Sequence, residues 1–163
     1  MAISRHWMGI ALVSTLSFSI LTPPGPWWRG AAWLAGWLDQ RAEYHLRLEH
    51  YDTALLCWNL ALALAPADPG LYLNRGRAWL QLYEWDRALA DHDRAIALAP
   101  AWADAYFYRG VAYASILQTG ADLHRAALAD FQRYLDLAPR GPHAGAAARY
   151  AQSLQAALQS LSP

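Results

Sequence analysis

The sequence lacks features that mark several classes of protein. Cys57 is the only cysteine, so there is neither an intramolecular disulfide nor a cysteine-built zinc site. There is no lysine, and the 13 basic residues, all arginine, balance 13 acids to a formal net charge of zero. Nucleic-acid-binding proteins normally present a basic surface, so this composition argues against a nucleic-acid partner. The length of 163 residues and the hydrophobic fraction of 56% predict one folded domain.

The sequence also lacks the motifs of common catalytic and metal sites. No two of the six histidines have the i, i+4 spacing of a helical metal site, and there is no G-x-S-x-G or phosphate loop. His92 stands between Asp91 and Asp93, but its position is aromatic elsewhere in the chain, so we expect a packed side chain. The sequence therefore predicts no enzyme, no cofactor, no metal and no small-molecule substrate.

The first quarter of the chain has almost no charge. No acid precedes Asp39, and the run from Trp7 to Thr22 is apolar or weakly polar until Pro23 begins a proline-rich break. A helix ending at Thr22 that began at Ser4 would be about 28 Å long, close to the ~30 Å bilayer core. We therefore expect residues 1–26 to form a single hydrophobic anchor helix. The tryptophans placed at its two membrane interfaces are Trp7, Trp27 and Trp28.

Two interpretations of residues 1–26 remain open. A retained anchor with Arg5 in the cytoplasm would leave the rest of the chain extracytoplasmic. A cleaved signal peptide, with Ser17 and Ser19 before the cut, would leave a periplasmic or secreted protein. With either interpretation, the tryptophan-rich lead-in from 27 to 38 would lie along the membrane interface or pack against the first helix pair.

The remainder of the chain repeats with a period of 34 residues. The segment ALALAP ends at Pro66, AIALAP ends at Pro100, and LDLAP ends at Pro139. In this register small residues, large aromatics and prolines recur together, and the chain resembles the tetratricopeptide repeat family. The small and proline positions are Ala42, Gly76, Gly110, Ala54, Ala88, Ala127, Pro66, Pro100 and Pro139.

The resemblance implies an all-α solenoid. Three helix-turn-helix repeats would cover about 35–66, 69–100 and 103–139, and a capping helix and tail would cover 140–163. One amphipathic helix pair cannot bury its apolar face alone, so the pairs must stack. Small residues allow the two helices of a pair to approach closely, and the prolines end each second helix.

Internal comparison of the repeats predicts two ion pairs. Arg75 and Arg109 share a repeat position, and each faces an acid at a second shared position, Asp91 and Asp130. In the first repeat the equivalent of these acids is Cys57, which we expect to be a small buried side chain.

The third repeat differs from the others. Pro100 and Pro139 are 39 residues apart, which places five extra residues in the turn 116–125. We expect Gly120 to end the first helix in a left-handed conformation and Asp122 to cap the second. Tyr134 replaces an alanine, and we expect the last helix to make room for it.

The resemblance further implies that partners bind a concave groove lined by the first helix of each repeat. The groove residues are Asp39, Glu43, Arg47, Leu73, Asn74, Arg77, Gln81, Asp104, Phe107, Tyr108 and Val111. Members that grip a C-terminal carboxylate need basic residues where this chain has acids, and of that set only Asn74 fits. We therefore expect a helical or extended segment with apolar side chains beside Arg77.

The predicted function is a non-catalytic, membrane-tethered scaffold or adaptor for protein partners. One alternative is a stoichiometric accessory subunit of a larger membrane complex. The other is a periplasmic or secreted adaptor that remains after signal cleavage.

Overall fold

The computed structural model describes residues 27–116 and 120–160. The anchor predicted over residues 1–26, with Trp7, lies outside this part. The described residues form seven helices and no strand. The helices are α1 (Trp27–Arg47), α2 (Tyr51–Leu64), α3 (Pro69–Gln81), α4 (Trp85–Leu98), α5 (Ala103–Ser115), α6 (Ala121–Leu137) and α7 (Ala144–Ser160).

Consecutive helices pack in pairs, and the pairs stack in chain order. The helix α1 packs on α2, α3 on α4, and α5 on α6, and α7 then packs on α6. Each pair contributes buried small and aromatic side chains to a core that runs along the stack. The all-α solenoid expected from the 34-residue period is therefore formed.

The turns between and within pairs repeat as the sequence does. Each second helix ends two residues before its proline, at Leu64, Leu98 and Leu137. The hydroxyl of Tyr72 donates to the Pro66 carbonyl at 3.1 Å. The equivalent bond from Tyr106 to the Pro100 carbonyl is 3.0 Å long.

Two within-pair turns share an unusual backbone. Glu49 and Tyr83, which are one period apart, both adopt a left-handed conformation, with φ of 59° and 60°. Asp68 caps α3 by accepting the Gly70 amide at 2.8 Å, with Pro69 at the first helical position.

The small repeat positions lie where two helices approach most closely. The four alanines Ala42, Ala54, Ala88 and Ala127 are fully buried. A Cβ at Gly76 would lie 2.5 Å from His92 Cε1, and one at Gly110 would lie 3.1 Å from Phe131. Glycine at these positions therefore makes room for the ring of the facing helix.

Two expectations for the third repeat need correction. Gly120 has φ −73° and ψ 164° and precedes α6, so it does not end α5 in a left-handed conformation. Asp122 lies inside the first turn and pairs with Arg125 at 2.7 Å, so it does not cap the helix. Tyr134 is fully buried in one cluster with Ala147 and Ala151 of α7, as expected, and Gly141 in the turn before α7 leaves space for its hydroxyl, because a Cβ there would collide with it.

The lead-in belongs to the first helix pair. The helix α1 begins at Trp27 and runs on through the first repeat, with Ala35 and Leu38 in the core. None of the helices described in 27–116 and 120–160 is both long and apolar enough to cross a membrane.

Candidate partner-binding groove

The groove is the surface formed by α1, α3 and α5, the first helix of each pair. Its first part is organised by Asp39 on α1. One carboxylate oxygen accepts the Trp58 indole N–H at 2.7 Å and the Asn74 amide N–H at 3.0 Å. Trp58 is fully buried on α2 and Asn74 is on α3, so this carboxylate joins three helices.

A second set of contacts continues from α1 to α5. Arg77 Nη1 donates to Glu43 Oε1 at 3.0 Å and to Asn74 Oδ1 at 3.2 Å. The Arg77 guanidinium lies 5.4 Å from the centre of the Tyr108 ring on α5, within cation–π range. Glu43 and Arg77 are 34 residues apart, so the period itself brings these two side chains together.

Two residues expected in the groove lie in the core instead. Leu73 is 4% exposed and Phe107 is 7% exposed, so the expectation that they line the open surface is wrong. Successive residues of an α-helix are about 100° apart around its axis. Asn74, which follows Leu73, and Tyr108, which follows Phe107, therefore point away from the core toward the groove. Leu73 and Phe107 hold α3 and α5 in place under the groove.

A cleft of about 240 Å³ opens at the far end of α1 and α3. It is lined by Leu46, Arg47, Glu49, Tyr51, Arg77 and Gln81. Arg47 and Gln81 are exposed, and Arg47 forms no ion pair with any described residue. Arg47 is therefore the cation of the groove that remains available to a ligand.

The floor below Tyr108 carries no charge at neutral pH. His92 is fully buried and stacks on Tyr108 with ring centres 6.1 Å apart. Burial, with the nearby charges of Arg109 and Arg77, lowers the pKa of His92 to about 3. Neither ring nitrogen has a hydrogen-bond partner, so the side chain is a neutral packing group.

One groove residue was missed at the sequence level. His143, in the turn between α6 and α7, stacks on Phe107 with ring centres 4.3 Å apart and meets Tyr108 edge-on at 5.5 Å. Its backbone N–H donates to the Tyr134 hydroxyl at 2.9 Å. It follows the third repeat, so no repeat position pointed to it. This turn borders the α5 end of the groove.

Val111 and Asp104 complete the surface contributed by α5. Val111 is partly buried and packs on the cluster around Phe131. Asp104 is partly exposed in the first turn of α5, and no ion pair joins it to a described residue. The α5 end of the groove therefore combines an aromatic ring, an aliphatic side chain and a carboxylate.

The two ion pairs expected from the repeat positions are formed within α3–α4 and α5–α6. Arg75 donates to both Asp91 oxygens at 2.8 and 2.7 Å. Arg109 makes the same two bonds to Asp130. The hydrogen bonds to Asp130 raise the pKa of Arg109 above its usual range.

Each of these arginines also bonds to the preceding pair. Arg75 Nη1 donates to Asn59 on α2 and Arg109 Nη1 to Asp93 on α4, both at 2.7 Å. Asn59 and Asp93 share a repeat position, a signal that the sequence already contained. These contacts hold the stack together and lie apart from the groove.

The described residues contain no group of three or more His, Cys, Asp or Glu side chains placed to hold a metal ion. Cys57 is buried, and burial raises the pKa of its thiol. Asp39, Glu43, Asn74 and Arg77 are joined to neighbouring helices by hydrogen bonds and an ion pair. What the groove offers a ligand is shape, aromatic surface and the Arg47 cation.

Comparisons with known proteins agree with this architecture. Residues 41–107 match the tetratricopeptide repeat family. No curated protein matches the chain. The matching solved structures include the first tetratricopeptide domain of Spaghetti (RPAP3) bound to the HSP90 peptide SRMEEVD. It is 25% identical, with a TM-score of 0.70 over 78% of this chain and 95% of that one.

Two further structures show the same likeness. The first such domain of human RPAP3 is 25% identical, with a TM-score of 0.69 over 78% of this chain and 97% of that one. The domain of Arabidopsis OM64 is 23% identical, with a TM-score of 0.68 over 76% of this chain and 98% of that one. The stacked helix pairs of this chain therefore share the fold of these tetratricopeptide domains.

Proposed function

We propose that this chain is a tetratricopeptide-repeat protein and a non-catalytic scaffold that holds a segment of a partner protein in its groove. We further propose that residues 1–26 tether it to a membrane, with the repeats on the extracytoplasmic side. Tetratricopeptide repeats mediate protein–protein interaction, and the proteins similar to this one include domains bound to peptides.

The observation that carries the proposal is the internal bonding of the groove. Asp39, Glu43 and Arg77 each bond to a neighbouring helix, so the surface has a fixed shape before a ligand arrives. A preformed surface loses little conformational entropy on binding. Beside these bonds lie Tyr108 and Val111, which offer apolar contact to a helical or extended segment.

The charges of the groove disfavour one kind of ligand. The peptides in the similar structures, SRMEEVD and SGPTIEEVD, are acidic at their C-terminal ends. In this chain such a tail would meet the carboxylates of Asp39, Glu43 and Asp104, and like charges at close range repel. We propose instead an apolar segment that places one acidic group near Arg47, at the cleft end of the groove.

The proposed tether is supported by the sequence alone. The run from Trp7 to Thr22 has no charged residue, and Pro23 begins a short break immediately before α1. A retained run of this length and composition suits a bilayer.

The experiment is cross-linking of the full chain in native membranes, followed by capture and identification of the cross-linked protein. Arg47→Glu reverses the available cation of the groove, and Arg149→Glu is the matched control on an exposed residue of α7, away from the groove. We expect Arg47→Glu to reduce capture of the partner at least ~10-fold, which corresponds to about 1.4 kcal/mol of binding energy. The control should capture the partner as the parent does.

Two results would contradict the proposal. One is equal capture by the parent and Arg47→Glu, with both proteins equally helical by circular dichroism. The other is saturable binding of the peptide SRMEEVD well below about 1 mM, the range of a very weak complex. That result would assign the groove to acidic C-terminal tails.

A further inference from the structure

The two ends of the solenoid differ in what they expose. At the N-terminal end, the large apolar side chains that are between 37% and 58% exposed on α1 and α2 include five on the outward side of these helices. We define them as the end face: Leu34, Trp37, Leu56, Leu60 and Leu64. No described helix precedes α1, so nothing in the described part of the chain covers this surface.

The end face lies on the side of each helix that points away from the stack. On α1, Asp39 and Glu43 bond to α3, and Leu34 lies roughly 140–180° around the helix from them. On α2, Leu60 and Leu64 lie about 160° from the buried Leu62. Both helices therefore turn leucines outward at the same end.

The C-terminal end shows what a solvated end looks like. There α7 buries Ala147, Ala151 and Leu154 against the preceding pair. Its exposed positions include Arg149, Gln152, Gln155 and Gln159, and the large apolar side chain among them is Tyr150, which is 41% exposed and stacks on Phe131. Solenoids need such polar ends to remain soluble, and the end face does not provide one.

The position of the N-terminal run limits what can lie near the end face. The residues outside the described part end at 26, directly before α1 begins at Trp27. The connection from Pro23 to Pro26 spans at most about 14 Å. Leu34 lies about 10 Å along α1 from its first residue. If the run spans a bilayer, the end face is held within about 25 Å of its surface.

The charges around the end face suit a lipid surface. The acids of α1, Asp39 and Glu43, turn toward α3 and are bonded there. The only acid of α2, Asp52, is in its first turn, away from Leu64. Arg41 is exposed on α1. Indole rings and leucines beside an arginine are the side chains that favour a membrane interface.

We propose that the end face lies on the bilayer surface, so that the solenoid stands end-on and its groove opens sideways, parallel to the membrane. The occupant of the end face is thus the interfacial region of the lipid. This proposal rests on the proposed tether. It assigns the exposed leucines of α2, which no repeat position explains, to membrane contact.

The test places a fluorophore at each end of the full chain in lipid vesicles containing an anionic lipid. In a Cys57→Ala background, Leu60→Cys carries the probe on the end face, and Gln155→Cys carries the control probe on α7. Quencher-labelled lipid should reduce emission at position 60 at least twofold and leave position 155 unchanged. Iodide in the buffer should quench position 155 more strongly. These results should not depend on the protein-to-lipid ratio.

Each other outcome overturns the proposal in an identifiable way. If the protein floats with vesicles but iodide reaches both probes equally, the tether stands and the end face is in water. Protection that grows with protein density assigns the end face to a second copy. Protection from both quenchers at every density assigns it to residues 7–22 of the same chain. Failure to float removes the tether and this proposal together, while the groove is tested separately by Arg47→Glu.

Discussion

The first helix pair and the two that follow hold themselves together with different chemistry at matching positions. In the second and third pairs an arginine grips a nearly buried aspartate, Asp91 or Asp130, with two hydrogen bonds. In the first pair the aspartate is replaced by Cys57, and the fully buried Trp58 donates its indole N–H to Asp39 instead. The same helix packing is therefore compatible with an ionic or a largely apolar interior.

The aromatic position shows the same freedom. It holds Trp58 in the first pair, His92 in the second and Phe131 in the third, and all three are fully buried. The facing residue is Ala42 in the first pair and glycine in the other two, where a Cβ at Gly76 or Gly110 would lie 2.5 or 3.1 Å from the ring. A fully buried ring is preserved at this position, but the hydrogen-bonding capacity of that ring is not. Three substitutions test this comparison between the helix pairs. Asp130→Ala removes an ion-pair partner, His92→Phe removes a polar ring, and Cys57→Asp adds an acid.

The largest effect is expected from Asp130→Ala. The substitution leaves Arg109 facing a site that is only 4% exposed in the parent, with Asp93 as its remaining partner. Breaking a buried ion pair on one side is strongly destabilising, and the partial exposure of Arg109 moderates this. We expect the free energy of unfolding to fall by about 3 kcal/mol, measured by urea denaturation.

The control for this substitution is Asp136→Ala, which removes an exposed carboxylate from the same helix. Exposed substitutions of this kind usually change stability by less than about 0.5 kcal/mol. If Asp130→Ala and the control lose the same small amount, the ion pair contributes little and apolar packing alone holds the third pair.

A smaller effect of opposite sign is expected from His92→Phe. Both ring nitrogens of His92 are buried without a partner, and each such group carries a desolvation cost. Phenylalanine already fills the same position opposite Gly110 in the third pair. We expect His92→Phe to raise the free energy of unfolding by about 1 kcal/mol at pH 7. A loss of stability would mean that the ring does not fit opposite Gly76.

The stability difference between His92→Phe and the parent should also depend on pH. The pKa of His92 is lowered from 6.5 to about 3 in the folded state, so between these values the unfolded chain binds more protons. Folding stability attributable to His92 is therefore complete above pH 6.5 and is lost as the pH falls toward 3, by up to about 1.4 kcal/mol per pH unit. The difference between His92→Phe and the parent should widen over this range. A constant difference would contradict the lowered pKa.

The sequence predicts the features of this fold that repeat and misses those that do not. The 34-residue period gave the helix pairs, the proline stops and both ion pairs. The Glu43–Arg77 contact follows from the same period, because these two residues are 34 apart and residues at one repeat position in adjacent pairs meet across the groove. His143 follows the last repeat, and its contact with Phe107 depends on the path of the α6–α7 turn.

The errors have a physical cause of the same kind. A repeat position indicates a helix face but not the depth of a side chain, so the prediction that Leu73 and Phe107 line the groove is wrong. Glycine permits a left-handed backbone, but Gly120 precedes α6 with an extended backbone. The type of a residue limits the conformations and environments it can adopt, and packing in the folded chain determines which of them occurs.

The smallest effect is expected from Cys57→Asp, which gives the first pair the acid that the others have. Cys57 is 9% exposed, and the Arg41 charge already acts on its thiol. Burying the carboxylate costs energy that pairing with Arg41 should offset, because the net value of a buried ion pair is near zero. We expect stability to change by less than about 1 kcal/mol in urea denaturation.

The pairing itself is then read from a double-mutant cycle with Arg41→Ala. In that background the new carboxylate at position 57 has no cation to offset its burial, and we expect Cys57→Asp to cost about 3 kcal/mol. A large loss with Arg41 present would mean that the first pair cannot accommodate the ionic arrangement. Equal costs in both backgrounds would mean that Arg41 does not pair with position 57.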